Sequence, residues 1–164
     1  MDDEQDDEVE EAPQPTALIV GLGDERRRDA GVGIVVARAL ERERLPDGTE
    51  VLVSSTGPLG AVAELSAHSQ AVIITAADMR AAPGTVRCYT LEGLEEDLVL
   101  PVGAAQGLSL TDALELGEML GDLPQVRVVA IQPEDVGPGR SLSAAVEGAV
   151  RRAAVEVLGV LAEG

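Results

Sequence analysis

Four glycines, two aspartates and three arginines crowd into GLGDERRRDAGVG, residues 21–33, directly after the apolar run ALIV. A turn alone needs far less, so the loop reads as a phosphate cradle, a metal-ligand loop, or the remains of one of these. A dinucleotide fingerprint requires glycine where Arg26 stands, and no G-x-x-x-x-G-K-[ST] string occurs anywhere in the chain. Arg26, Arg27 and Arg28 could still hold an anion. On an acidic protein, however, an exposed basic triplet is ordinarily a solvated loop.

The carboxylates Asp24, Asp29, Asp78 and Glu134 fall near the ends of apolar runs, where a hard-cation site or an acid/base pair could be built. Each also has a local role open to it: Asp29 could cap a helix, Asp78 suits a turn, and Glu134 follows Pro133 in a loop. His68 is the only histidine. It sits at the end of a short helix, remote from the expected strand ends, which argues against a Ser/His/Asp triad or a metal ligand. Cys88 is the only cysteine, so an internal disulfide and a Cys-rich metal site are both excluded. It lies in the alternating run VRCYTL and reads as a packed strand residue. No residue is assigned as catalytic.

These groups must be positioned by regular elements. ALIVGL (17–22), EVLVSS (50–55), AVIITAA (71–77), VRCYTL (86–91) and QVRVVAI (125–131) read as five strands, several with the continuous apolar character of strands buried on both faces. Val32, Val35, Val36, Ala39 and Leu40 recur at helical spacing after the glycine loop, and Pro58 to Ser66 is a short helix with proline in its first turn. A further helix runs from about Leu110 to Leu120, with Ser109 and Asp112 in capping spacing. Leu142, Val146, Ala149, Ala153, Val157 and Leu161 trace one face of a long terminal helix. LEGLEEDLVLPVGAAQ has no clean period and reads as a surface excursion. The expected fold is a three-layer α/β sandwich: a twisted, mainly parallel five-stranded sheet with helices on both faces. Functional groups then gather at the carboxyl ends of the strands, around residues 21–33, 75–78 and 131–135.

Composition narrows the partners. The chain has 164 residues, 45% of them hydrophobic, with no Trp, no Phe and one tyrosine, so Val, Leu, Ile and Ala must build the core and stacking on nucleobases is disfavoured. A formal net charge of −18 opposes nucleic acid and anionic membranes. Part of that charge is local: eight acidic residues and no basic one precede Pro13. Residues 1–15 are therefore expected to be a disordered acidic tail, with residues 16–164 forming the folded α/β domain. The acidic N-terminus is unlike a signal peptide and no apolar run is long enough to span a bilayer, which predicts a cytoplasmic protein.

Taken together, the pieces resemble the hydrogenase maturation proteases, the endopeptidases that trim the C-terminal extension of nickel-iron hydrogenase large subunits after nickel insertion. GLGDERRRDAGVG resembles the family's Gly-x-Gly-Asn loop ending in Asp-Glu/Asp-Gly-x-Gly. STGPLG, IITAADMRAAPGTV, QGLSLTDAL, IQPEDV and LSAAVEGAV follow in the family's order, covering about Ala17 to Leu161. The resemblance implies the family's hydrolase-like α/β fold and three nickel-recognising positions, which fall here on Ala30, Thr75 and Gln106, with Asp78 as an alternative to Thr75. Ala30, Thr75 and Gln106 are neither acidic nor histidine. A methyl group cannot coordinate a metal, and a neutral hydroxyl or amide is a poor ligand for transition ions.

The loop thus reads as an inherited metal-recognition turn: Gly21, Gly23, Gly31 and Gly33 keep the backbone close to the strand ends, while the acidic ligand is gone. Asp24 stands where the family has asparagine. The resemblance therefore implies a degenerate member that binds a nickel-iron hydrogenase large subunit or related assembly partner without cutting it. No cofactor of its own is expected, and nickel arrives only with the substrate. The alternatives are an active endopeptidase rebuilt around Asp29, Asp78 and substrate-bound nickel, and a small-molecule or nucleotide-binding module that keeps only the fold.

Overall fold

The computed structural model describes residues 16–54, 57–102, 109–121 and 123–163. Its central sheet is built on the apolar runs. Strands β1 (Ala17–Leu22), β2 (Thr49–Ser54), β3 (Gln70–Asp78), β4 (Val86–Thr90) and β6 (Gln125–Ile131) lie in the order β2-β1-β3-β6-β4. β1 pairs in parallel with both β2 and β3, and β3 pairs in parallel with β6. Strand β4 closes the edge antiparallel to β6. β1 and the central stretch of β3 are buried on both faces, as a parallel strand covered by helices must be.

A sixth strand, β5 (Leu100–Pro101), pairs antiparallel with the end of β3. It lies in LEGLEEDLVLPVGAAQ, where only a surface excursion was expected. The same stretch opens with helix α3 (Leu91–Glu96), capped by the Thr90 hydroxyl, which accepts the Gly93 N–H at 3.1 Å. Leu94 alone is buried on α3, so the helix leaves no apolar period to detect.

Helices α1 (Val32–Glu41) and α6 (Val150–Glu163) cover one face of the sheet, where Ile19, Val72, Ile74, Val129 and Ile131 meet Val36, Leu40, Ala153 and Val157. Helices α2 (Pro58–Leu65) and α4 (Leu110–Met119) cover the other, over Leu18, Val20, Ile73 and Val128. The buried face of α1 is Val32, Ile34, Val36, Ala37 and Leu40; Val35 and Ala39 are only half-buried.

The terminal segment is two helices, not one. Helix α5 (Ala144–Glu147) stops at Gly148 before α6 begins, yet Val146, Ala149, Ala153, Val157 and Leu161 still share the buried face. Among the described residues no helix is long and apolar enough to cross a membrane.

The chain runs outward from β1 to β2, then crosses back over β1 to β3. The carboxyl ends of β1 and β3 therefore form the point where the connections diverge, which in open α/β sheets leaves a crevice. Residues 23–31 occupy that point.

Candidate functional site

The glycine loop is fixed to the sheet by backbone contact. A Cβ added at Gly33 would stand 2.2 Å from the Ile74 carbonyl oxygen and 2.4 Å from that of Leu22. Only glycine lets the first turn of α1 descend between the ends of β1 and β3. Gly23 is held similarly, with the Ala30 carbonyl oxygen 2.1 Å from where its Cβ would be, and the Asp24 N–H donates to that same oxygen at 3.1 Å. Residues 28–31 form a single 3-10 turn that packs against β3.

The loop is tied to a second one that follows β6. Asp29 is fully buried, and its Oδ2 accepts the backbone N–H groups of Glu134 at 2.9 Å and Asp135 at 3.0 Å and the Ser143 hydroxyl at 2.8 Å. Its Oδ1 accepts the Ser143 N–H at 2.7 Å. Burial alone raises the Asp29 carboxyl. The N–H groups of Ser143, Asp135 and Glu134 and the Ser143 hydroxyl outweigh it and hold the group below the usual aspartate value. Asp29 is therefore no cap for α1, whose N-cap is Gly31 without a side-chain bond. It organises the approach to α5, where Ser143 is the N-cap.

Two of the three arginines are structural as well. Arg27 Nε donates to the Val136 carbonyl at 3.0 Å. Arg28 donates through its backbone N–H to Gly139, through Nε to the Ser141 carbonyl, and through Nη1 to Asp135 at 3.1 Å. These bonds hold Arg28 at φ 48°, a left-handed conformation costing a non-glycine residue about 1–2 kcal/mol. Arg26 alone fits the expectation of an exposed loop cation, pairing with Asp24. Its guanidinium holds the Asp24 carboxyl below its ordinary value.

Asp78 ends β3 and is half-buried. Its Oδ1 accepts the Arg80 N–H at 3.0 Å and the Gln132 side-chain amide at 3.2 Å, and these bonds lower its pKa. Gln132 is a latch that the sequence pattern does not reveal. Buried after β6, it also accepts the Met79 N–H at 2.7 Å and the Ala81 N–H at 3.3 Å through Oε1. The only hint in the sequence is a polar residue directly after the apolar strand run.

Two of the family-site positions, Ala30 and Thr75, sit at the same rim. Ala30 is completely buried in the 3-10 turn. Thr75 is 3% exposed, level with Ala130 on β6, and its hydroxyl donates weakly to the Ala76 carbonyl at 3.3 Å. Gln106 lies outside the described residues, as do residues 1–15. Glu134 is exposed and joins the rim network through its backbone N–H. The four carboxylates thus do not converge: Asp29 and Asp78 are engaged in separate networks, and Asp24 serves Arg26. Among the described residues, no group of three His, Cys, Asp or Glu side chains is placed to hold a metal ion.

His68 lies at the opposite end of the sheet, just before β3, with Nε2 3.2 Å from a Glu50 carboxylate oxygen. Cys88 is half-buried on β4 beside the α6 layer, and burial pushes its thiol pKa up, so it packs as a neutral group.

The fold has counterparts among solved structures. The hydrogenase maturating endopeptidase HybD from E. coli superposes with a TM-score of 0.76 at 25% identity, over 90% of this chain and 93% of that one. HybD from Thermococcus kodakarensis, a [NiFe] hydrogenase maturation protease, gives a TM-score of 0.70 at 22% identity, over 88% of this chain and 98% of its own. An endopeptidase from Escherichia coli gives 0.78 at 24% identity, over 90% and 93%. Among curated proteins no sequence matches. The HycI hydrogenase maturation protease family model matches residues 34–160, beginning immediately after the glycine loop. Residues 34–160 make up most of the chain, and with that match this protein belongs to the hydrogenase maturation protease family.

Proposed function

We propose that this protein serves hydrogenase maturation in the cytoplasm as a binding member of its family, holding a nickel-iron hydrogenase large subunit or a related assembly partner without cutting it. The observation that carries this reading is Ala30. The position that the family resemblance assigns to an acidic nickel-recognising residue carries a methyl group, fully buried at the crevice. Thr75 adds a neutral hydroxyl turned to its own backbone, and Gln106 an amide. Nickel belongs to the substrate here, so what the chain lacks is a means of reading whether the metal is present.

The engagement of Asp29 weighs against an active site rebuilt around it. Both of its carboxylate oxygens already accept hydrogen bonds within a solvent-excluded pocket, and recruiting either for a cation would strip the 134–143 loop of its anchor. Asp78 alone is one carboxylate, and one monodentate oxygen ligand gives a first-row ion little affinity or geometry.

The test incubates the purified protein with a nickel-loaded precursor large subunit carrying its C-terminal extension. The expected result is a stable complex on size exclusion and no released C-terminal fragment. Release at a rate comparable to an active family enzyme would overturn the non-cleaving reading, and failure to form a complex would overturn the binding role.

A further inference from the structure

Helices α2 and α4 lie against each other over one face of the sheet, but their outer surfaces part to leave an open groove of roughly 210 Å³. Leu59, Val62, Ala63, Leu116, Leu120 and Leu123 line it, and Ser66 supplies the only side-chain polar group among its described lining residues. Packing of the fold accounts for Val62 and Leu123, which join the core, but not for the exposed Leu59, Leu116 and Leu120. The inner face of α4 is already complete with Leu110, Ala113, Leu114 and Gly117. The outer positions of α4 carry Asp112, Glu115 and Glu118, as an amphipathic helix should, but also Leu116 and, outside the groove, Met119, with Leu120 at the C-cap; the three are 38%, 83% and 65% exposed. Leu59 on α2 adds a fourth exposed apolar side chain at 48%. A cluster of this kind on an otherwise highly charged protein marks an interaction surface.

The charge around it identifies the occupant. Residues 57–66, 91–97 and 109–121, which contain α2, α3 and α4, hold eight Asp and Glu and no Lys or Arg. Beside the groove, Glu92 and Glu95 of α3 face Glu115 and Glu118 of α4 across a shallow cleft. Among the described residues none of these four pairs with a basic side chain. A second copy of the chain would bring the same acidic rim and a net charge of −18, and residues 1–15 would bring eight carboxylates before Pro13 with no cation. Both are repelled.

We propose that the α2–α4 groove docks an amphipathic, cationic segment of another protein, with apolar side chains seated between Leu59 and Leu120 and Lys or Arg over Glu115 and Glu118. The recognition mode is a helix laid into an apolar groove, with the acidic rim fixing orientation and accelerating encounter. The assignment stands whether or not the chain cleaves its partner, because the groove runs along the helices rather than over Ala30 and Thr75.

The probe is a fluorescein-labelled synthetic helix of about 18 residues, leucine at i, i+3, i+4 and i+7 spacing and lysine elsewhere. Two controls accompany it: a permuted peptide of identical composition, and one with glutamate for lysine. Anisotropy should show saturable binding of the first alone to the full-length protein. Glu115→Lys with Glu118→Lys should weaken binding about tenfold, and Leu116→Ser with Leu120→Ser should abolish it. Val155→Ser, at an exposed position on α6, should leave it unchanged.

Amide shifts on titrating wild-type protein should map to α2 and α4, which decides the question even if a groove variant fails to fold. Equal binding of either control peptide, or shifts confined to α6, would overturn the proposal. So would a dimer of the free protein sealed through Leu116 and Leu120, or contacts from residues 1–15 to the Leu120 methyls before peptide is added.

Discussion

Asp29 and Ser143 stand 114 positions apart in the chain and meet twice, the Ser143 N–H reaching Asp29 Oδ1 at 2.7 Å and its hydroxyl reaching Oδ2 at 2.8 Å. This pair joins the loop after β1 to the loop after β6 and sets where α5 begins. Asp29→Asn keeps the shape of the side chain but turns one acceptor oxygen into a donor facing N–H groups. The expected cost is about 3 kcal/mol, equivalent to a fall in Tm of roughly 6–12 °C for a domain of this size.

The same carboxyl predicts a pH dependence. Its folded pKa lies below the 3.8 of an ordinary aspartate, so its contribution is complete near neutral pH and is lost as pH falls through that value toward the folded one. Asp24 and Asp78 shift in the same direction. Urea unfolding between pH 7 and pH 3 should therefore show stability falling on acidification, with a shallower fall in Asp29→Asn. Parallel slopes in the two proteins would mean that Asp29 is not held below its ordinary pKa.

Gly33 makes a sharper prediction because the atoms that its Cβ would meet are backbone. Gly33→Ala must push α1 off the ends of β1 and β3, costing about 3 kcal/mol or more. Gly60, exposed in α2 with nothing within 4 Å of where an added methyl would stand, is the control. Gly60→Ala should be neutral or stabilise by roughly 0.5–1 kcal/mol, the ordinary helix preference for alanine. Chemical denaturation midpoints at constant m-value measure both.

How much of this was legible in the sequence follows the range of the forces involved. ALIVGL announces itself because burial on both faces demands an unbroken apolar run, and QVRVVAI does so through its buried end VVAI; both occur where expected. The Ser109 cap is equally local, its hydroxyl accepting the Asp112 N–H at 3.1 Å. Helix α3 escapes notice because a single buried leucine carries no period, and β5 because two residues make no alternation. The break at Gly148 is hidden because the apolar face continues across it.

At the rim, the roles of Asp29, Arg27 and Arg28 differ from the sequence expectation for another reason. Their partners lie more than 100 positions away, and a charged residue whose partner is distant looks like a solvated one until the chain is folded. The glycines are readable because steric need is local in type even when the contact is remote in sequence.

Gln132 can be tested by separating its two functions. Gln132→Leu removes the acceptor for the Met79 and Ala81 N–H groups and the donor to Asp78, leaving buried polar groups unmatched at a cost of about 2 kcal/mol. Gln132→Glu keeps the acceptor but sets a second carboxylate against Asp78. Its deficit should be largest at neutral pH and shrink as pH falls and one of the two takes up a proton. A deficit independent of pH would show that the amide donor to Asp78 contributes little.

Restoring the family-site positions tests the proposed loss of nickel recognition from the opposite direction. Ala30 is fully buried, so Ala30→Glu alone places a carboxylate where no cation waits, and should lower Tm in metal-free buffer. Combined with Thr75→Asp and Gln106→His, it would restore the ligand types that the family resemblance assigns to these positions. The triple variant should then recover its lost stability on adding Ni²⁺, since an ion bound at a hundred times its dissociation constant stabilises the folded state by about 2.7 kcal/mol. The wild-type protein should show no such rise under the same conditions. Thermal shift paired with calorimetric titration reads both effects, and a wild-type response equal to that of the triple variant would mean that Ala30, Thr75 and Gln106 are not where this fold recognised its metal.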